Sequence, residues 1–305
     1  MLSVILPTYN PDLSRLKQAL DSLKLQTLAV DQWELLIIDN NSSFRFTDQI
    51  DINWHPNGRI MTEPKQGLTF ARLKGFASAR GDMIIMVDDD NVLDKDYLQV
   101  TRDIFEANPD LGAVGGKSVP LFEGYEPNWL KDFYGNLALR DLGEEVIINS
   151  WENSYPAASP VGAGMGIRTM ALANYISRVN TQENPLSDRT GTTLSSGGDN
   201  DIVLEILKSG WQVGYFPSLC LQHIIPRQRT EAAYLARLIK DTNKSWVKLL
   251  EYHRINPWKK IPAWSVPLRK LKAWFSYKAW QNKANYIRWN GACGMYEGLS
   301  QTYND

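Results

Sequence analysis

A short apolar run, an amphipathic segment and a second apolar run open this chain, and that order constrains its fold more than any other feature. Ser3-Val-Ile-Leu6 leads into Pro7, and Trp33 to Ile38 forms the second run. Between them, Leu13, Leu16, Leu20 and Leu23 recur at helical spacing with polar residues around them, which predicts one amphipathic helix from about Asp12. Strand, helix, strand in this order predicts a parallel pair joined by a crossover helix. Helices cover both faces of such a sheet, so its strands are apolar throughout and do not alternate. Pro7 cannot donate to a sheet ladder, and the first strand is expected to break there into the loop Pro7-Thr-Tyr-Asn10.

The pattern continues along the chain. Asp39-Asn-Asn-Ser-Ser43 closes the second run with turn-forming residues. Arg59 to Glu63 is predicted as a short strand, Leu68 to Ala79 as a helix, Asp82 to Val87 as a strand and Asp96 to Ala107 as a further helix, followed by a strand at Ala113-Val-Gly-Gly116. Ligands of open α/β sheets bind outside the carboxyl ends of the strands, so Pro7 to Asn10, Asp39 and Asp88-Asp-Asp90 are expected to converge on one crevice. Residues 123–160, with Trp129, Trp151 and Tyr155, read as a partly irregular wall or lid. Gly162-Ala-Gly-Met-Gly166 returns to the sheet; it neither follows the first strand nor opens the first helix, so it is not a dinucleotide fingerprint. Asp201 to Lys208 has helical character, and Gln212 to Phe216 and Leu219 to Ile225 read as the last strands.

Three consecutive carboxylates at the end of an apolar strand repel one another and are costly to withdraw from water. A divalent cation compensates such a cluster directly, since Mg²⁺ or Mn²⁺ binds protein carboxylates together with substrate phosphates. Taken alone, an Asp triplet reads rather as a solvated turn or helix N-terminus, Asp39 as a cap, and Arg72 as a surface salt bridge.

The ordered company of these residues decides between the readings. Val4-Ile-Leu-Pro-Thr-Tyr-Asn10, Ile37-Ile-Asp-Asn-Asn-Ser-Ser43, Gln66-Gly-Leu-Thr-Phe-Ala-Arg72, Gly81-Asp-Met-Ile-Ile-Met-Val-Asp-Asp-Asp90, Gly197-Gly-Asp-Asn-Asp201 and Pro217 to His223 together resemble glycosyltransferase family 2 over roughly residues 1–225. The resemblance implies a GT-A fold, a Rossmann-like, mostly parallel α/β sheet flanked by helices, here with a helical basic C-terminal extension. It also implies an inverting, metal-dependent transfer of a sugar from a nucleotide diphosphate sugar. Residues 1–120 would form the nucleotide-sugar-binding half, 121–225 the acceptor-binding half and 226–305 the extension.

Carried over by position, Pro7, Thr8, Tyr9 and Asn10 would surround the nucleoside and Asp39 would hold the base. Gln66, Gly67 and Arg72 would lie at the donor side. Asp88 would lie near the ribose and Asp90 would hold the cation, Mn²⁺ or Mg²⁺, with Asp88 as a second ligand and Asp89 filling the middle of the D-x-D pattern. Gly198 stands where the family carries a Glu, leaving Asp199 as the base candidate and Asp201 as its rival; Glu205 reads as an exposed helix residue. His223 is read as a third metal ligand or a structural histidine. Arg227 and Arg229 suit a leaving diphosphate, because guanidinium pairs bidentately with phosphate oxygens. The resemblance places Gly164, Met165 and Arg168 beside the acceptor, and Trp129 adds a candidate stacking surface.

Residues 226–305 carry 15 Lys and Arg against 5 Asp and Glu, whereas the preceding 225 carry 18 against 29, and six of the eleven tryptophans fall in that basic segment. Cations attract anionic headgroups and tryptophan prefers the interface, so residues 256–305 read as a membrane-surface segment. A packing tail or homodimer arm is the alternative, and the acidic body argues against nucleic acid. Cys220 and Cys293 form no metal or redox spacing. With no apolar run of spanning length, the expectation is a cytoplasmic protein, peripheral on the inner face of the plasma membrane. The acceptor expected from the resemblance and the tail is a glycan or lipid-linked saccharide of bacterial-type surface polysaccharide synthesis. A sugar nucleotidyltransferase and a non-catalytic sugar-nucleotide or glycan-binding module are the rival readings.

Overall fold

The computed structural model describes residues 1–181 and 197–301. In chain order its elements are β1 (Leu2–Thr8), α1 (Leu13–Lys24), β2 (Trp33–Asp39), β3 (Gly58–Thr62), α2 (Leu68–Ser78), β4 (Met83–Met86), β5 (Asn91–Leu93), α3 (Tyr97–Ala107) and β6 (Leu111–Phe122). There follow β7 (Ile147–Asn149), β8 (Gly166–Arg168), α4 (Ala173–Thr181), α5 (Gly198–Lys208), β9 (Gln212–Ile225), α6 (Ala232–Tyr252), α7 (Val266–Ser276) and α8 (Lys283–Leu299). The chain divides into two compact units. The first comprises residues 1–121, 138–185 and 202–224, and the second 122–137, 186–201 and 225–305.

The first unit is built on a sheet of order β3-β2-β1-β4-β8-β6-β9-β5, with β7 also paired to β9. The strands β3, β2, β1 and β4 are parallel, and β8 runs antiparallel to both β4 and β6. All seven residues of β1 are buried, and its side chains alternate between two cores. Val4, Leu6, Leu35, Ile37 and Ile85 pack with α1 and α3 on one face. Ile5, Leu36, Ile38, Ile84 and Met86 pack with α2, α4 and α5 on the other. A sheet buried on both faces is the physical reason for its uniformly apolar strands.

The expected break at Pro7 does not occur, since Pro7 pairs in register with Ile38 in mid-sheet. Ile5 offers its carbonyl to Val87 on the β4 side, and Thr8 offers its own to Asn40 on the β2 side. Pro7, two residues after Ile5, therefore directs its missing donor toward β4, whose ladder with β1 ends at the Ile5–Met86 pair. The β1–β4 ladder thus stops where Pro7 offers no donor. The last two expected strands are one continuous strand, β9.

The second unit is helical. On α8, Gly291, Gly294 and Gly298 face α6, and a Cβ on Gly294 would lie 2.0 Å from the Lys240 carbonyl oxygen. Glycine here permits backbone-to-backbone approach that any side chain would prevent. Lys240 and Lys270 both pair with Glu297, at 2.9 and 2.6 Å. Burial raises the Glu297 carboxyl, but these two lysines outweigh it and hold the group below its usual range. The helix α7 packs on α8, where Trp274 meets Trp289 edge to face at 4.8 Å. No helix among the described residues is long and apolar enough to cross a membrane.

Candidate active site

Parallel strands deliver their last residues to one edge, and here those residues are Thr8, Asp39 and the turn that follows β4. The buried hydroxyl of Thr8 donates to Asp89. Asp89 is thereby tied to β1, a role that filling the middle of D-x-D does not foretell. The Asp39 carboxylate accepts from the Ser42 amide at 2.9 Å. Asn10, at φ 48°, accepts from the Ser43 amide and hydroxyl at 2.8 and 3.0 Å, so the first two strand-end loops are joined. Tyr9 stands 43% exposed at this edge, open to an aromatic partner. Gln66 is exposed and Gly67 buried. Arg72 is buried on α2, so the surface-salt-bridge reading does not hold for it.

Two asparagines that the sequence did not single out organise the edge. Asn40 donates to the carbonyls of Glu63 and Lys65 and accepts from the Gly67 amide at 2.8 Å. Gly67 itself lies at φ 133°, a conformation that favours glycine, where α2 begins. Asn91 is fully buried. Its side-chain oxygen accepts from the Asp88 amide at 3.0 Å, and its side-chain nitrogen donates to Asp90 at 3.2 Å, fixing the carboxylate turn from below. Both act through side-chain amides, Asn40 in a loop and Asn91 at the start of β5, where residue type alone carries no signal beyond a turn.

Asp90 and His223 come together because β5 pairs with β9 in a register that sets Asn91 opposite His223. His223 Nε2 lies 3.3 Å from Asp90 Oδ1, with both side chains largely buried. A carboxylate oxygen beside an imidazole nitrogen, with Asp88 two residues away, is an oxygen and nitrogen donor set that suits Mn²⁺, while the carboxylates alone suit Mg²⁺. The Asp90 and His223 donor atoms are thus of the kind a divalent cation takes, and they lie side by side.

Of the other sequence candidates, Gly164 and Met165 lie against Met86, the last residue of β4, whose carbonyl accepts from the Gly164 amide at 3.0 Å and whose amide donates to Met165, whereas Arg168 does not reach this edge. Arg168 pairs with Met83, at the opposite end of β4, and its guanidinium donates to the carbonyls of Leu111, Phe105 and Asn108 where α3 ends. Placement beside the acceptor is thus corrected to a structural cap on α3. Met165 is fully buried in the core. Gly164, at φ 74°, accepts a bond from the Tyr97 hydroxyl at 2.8 Å and would clash with it if given a Cβ. Glu205 is not exposed as expected; it pairs with Arg178 at 3.1 Å, both largely buried.

In the second unit, Asp199 and Asp201 occupy the first turn of α5. Asp201 is 2% exposed and meets His253 Nε2 at 2.7 Å, joining the start of α5 to the end of α6. Asp199 is half-buried. Trp129 is half-buried against Phe133, Arg227 is exposed and Arg229 half-buried in a single 3₁₀ turn.

Residues 3–168 match Glycosyl transferase family 2. A glucosyl-dolichyl phosphate glucuronosyltransferase of Haloferax volcanii is 26% identical over 161 residues, covering 50% of this chain and 50% of that protein. An N-acetylglucosaminyltransferase of Azorhizobium caulinodans is 22% identical over 229 residues, covering 74% of this chain and 55% of that protein. The chain thus spans about half the length of these relatives. The crystal structure of S. aureus TarS 1-349 in complex with UDP-GlcNAc superposes with a TM-score of 0.55 at 14% identity, covering 98% of this chain and 90% of that one. That likeness gives the fold as GT-A, and the match over more than half its length places this chain in glycosyltransferase family 2.

Proposed function

We propose that the chain is an inverting glycosyltransferase that moves a sugar from a UDP-sugar to a hydroxyl of a glycan or lipid-linked saccharide. The observation that carries this reading is the cluster of Thr8, Asp89, Asp90 and His223 at the carboxyl edge of the parallel strands. TarS structures holding UDP and UDP-GlcNAc support the uridine donor. The Haloferax volcanii relative, named for action on a dolichyl phosphate sugar, supports a lipid-linked acceptor.

Asp39 and Tyr9 are assigned to the nucleoside, with Asn10 and Ser43 holding their loops. A divalent cation, Mn²⁺ or Mg²⁺, would be held by Asp88, Asp90 and His223, and when bound it neutralises charge developing on the leaving diphosphate. Asp199 takes the acceptor proton as the hydroxyl oxygen bonds to the anomeric carbon and the bond to the diphosphate breaks on the opposite face. Asp201 is unsuited to that task, because its carboxylate is buried against His253 and an acceptor hydroxyl would have to displace the histidine. Release of UDP from a UDP-sugar in the presence of acceptor tests the assignment. In Asp199→Asn, kcat is expected to fall by about 10²–10⁴; undiminished transfer in that variant removes Asp199 from the role.

A further inference from the structure

The second unit presents an apolar stripe that its own packing leaves uncovered. Trp264, Leu268, Leu271 and Phe275 follow one another at intervals of four, three and four, so they stack along one side of the Ala263–Ser265 turn and α7. They are 75, 62, 58 and 61% exposed. The opposite side of the helix is the packed one: Ala273 is buried, and the Lys270 carbonyl accepts from Trp289 Nε1 at 3.0 Å. The helix is therefore anchored by one face and offers the other. Trp280, 55% exposed and 5.7 Å from Phe275, extends the stripe past the end of α7.

The charge around the stripe states what fits it. From Tyr252 to Tyr296 the sequence holds nine Lys and Arg and no Asp or Glu. Of these, Lys259, Arg269, Lys272, Lys278 and Lys283 are exposed. Lys272 borders the apolar side of α7 with Arg269 one turn before it, while Lys278 and Lys283 follow its end. Apolar side chains in a narrow stripe, cations beside them and a tryptophan at each end form the pattern of a helix lying in a headgroup layer. A second copy of this chain is disfavoured as occupant. A two-fold interface sets the same patch against itself, and these cations would then face their own kind.

We propose that α7 docks this protein on an anionic bilayer surface, with Trp264, Leu268, Leu271 and Phe275 inserted at the headgroup boundary and Arg269, Lys272, Lys278 and Lys283 on the lipid phosphates. The proposal uses none of the donor-site residues, so its test does not depend on turnover.

The test is flotation of the full chain with phosphatidylcholine vesicles and with vesicles containing phosphatidylglycerol. Binding is expected to the anionic vesicles, to weaken as salt is raised from 50 to 500 mM and to be lost on neutral ones, since screening removes the electrostatic part. Leu271→Ser with Phe275→Ser is expected to weaken binding at least about tenfold, given the apolar area withdrawn from insertion. Both positions are exposed, so the double variant should keep the wild-type melting temperature, and Lys272→Gln with Lys278→Gln should weaken binding without touching the stripe. No binding by the wild type, binding unchanged in the serine variant, or a dimer in sedimentation that the serine variant abolishes would each overturn the proposal.

Discussion

The Thr8 hydroxyl donating to Asp89 and the Asn91 side chain bridging Asp88 and Asp90 show how a costly row of carboxylates is held in place. Thr8 holds the Asp89 carboxylate, while Asn91 holds both the Asp88 backbone amide and the Asp90 carboxylate, which steadies the turn against mutual repulsion. The same scale separates the two base candidates in α5. Asp201 and His253 form a buried pair, and deleting one partner of such a pair removes a buried hydrogen bond from the other. Asp201→Asn is expected to lower stability by about 1–3 kcal/mol in urea denaturation, while retaining UDP release within a few-fold at temperatures where it stays folded. Loss of turnover as deep as that of Asp199→Asn, with stability unchanged, would reverse the two roles. Asp88, Asp90, Asp39 and Asp199 were legible as candidates because the order of the motifs carries them. Asn40 and Asn91 were not, since Asn40 works across loops 23 to 27 residues apart and Asn91 through a local turn geometry that residue type does not announce.

At the scale of elements, periodicity revealed the crossover units well: α1, β2, α2 and α3 lie within a residue or two of the segments read from apolar spacing. It misjudged Pro7, because a proline is tolerated in mid-sheet when its nitrogen points past the end of the neighbouring ladder, and that depends on the length of β4. It also could not show that Arg168 caps α3, since the long-range antiparallel register sends β8 back toward the start of β4. In the helical unit the glycines of α8 decide the packing distance. Gly294→Val is expected to cost about 2 kcal/mol or more, because the Lys240 carbonyl cannot yield without moving α6. Gly135→Ala, where a Cβ meets nothing within 4 Å, provides the contrasting substitution and should change the denaturation midpoint little.

For the molecule as a whole, His55 links stability to pH. It is buried against Trp33, their ring centroids 4.1 Å apart. Burial lowers its pKa to about 4, against a partial opposing pull from Glu34. The unfolded chain therefore takes up this proton near pH 6.5 and the folded protein only near 4, so stability is expected to fall as pH drops through that window. The loss amounts to roughly 3 kcal/mol at most. His55→Gln should flatten that part of a melting-temperature profile; an unchanged slope would show that other groups govern it.

The central claim is a donor site in which Asp90 and its neighbours hold a nucleotide diphosphate sugar through a divalent cation. Thermal melting at fixed pH with UDP-GlcNAc and other nucleotide sugars, with and without Mn²⁺, addresses it directly. One UDP-sugar should raise the melting temperature by on the order of 5 °C at a hundredfold excess over Kd, only when Mn²⁺ is present, and Asp90→Asn should abolish the rise. An equal rise without the cation, an undiminished rise in Asp90→Asn, or no rise with any nucleotide sugar would contradict the account.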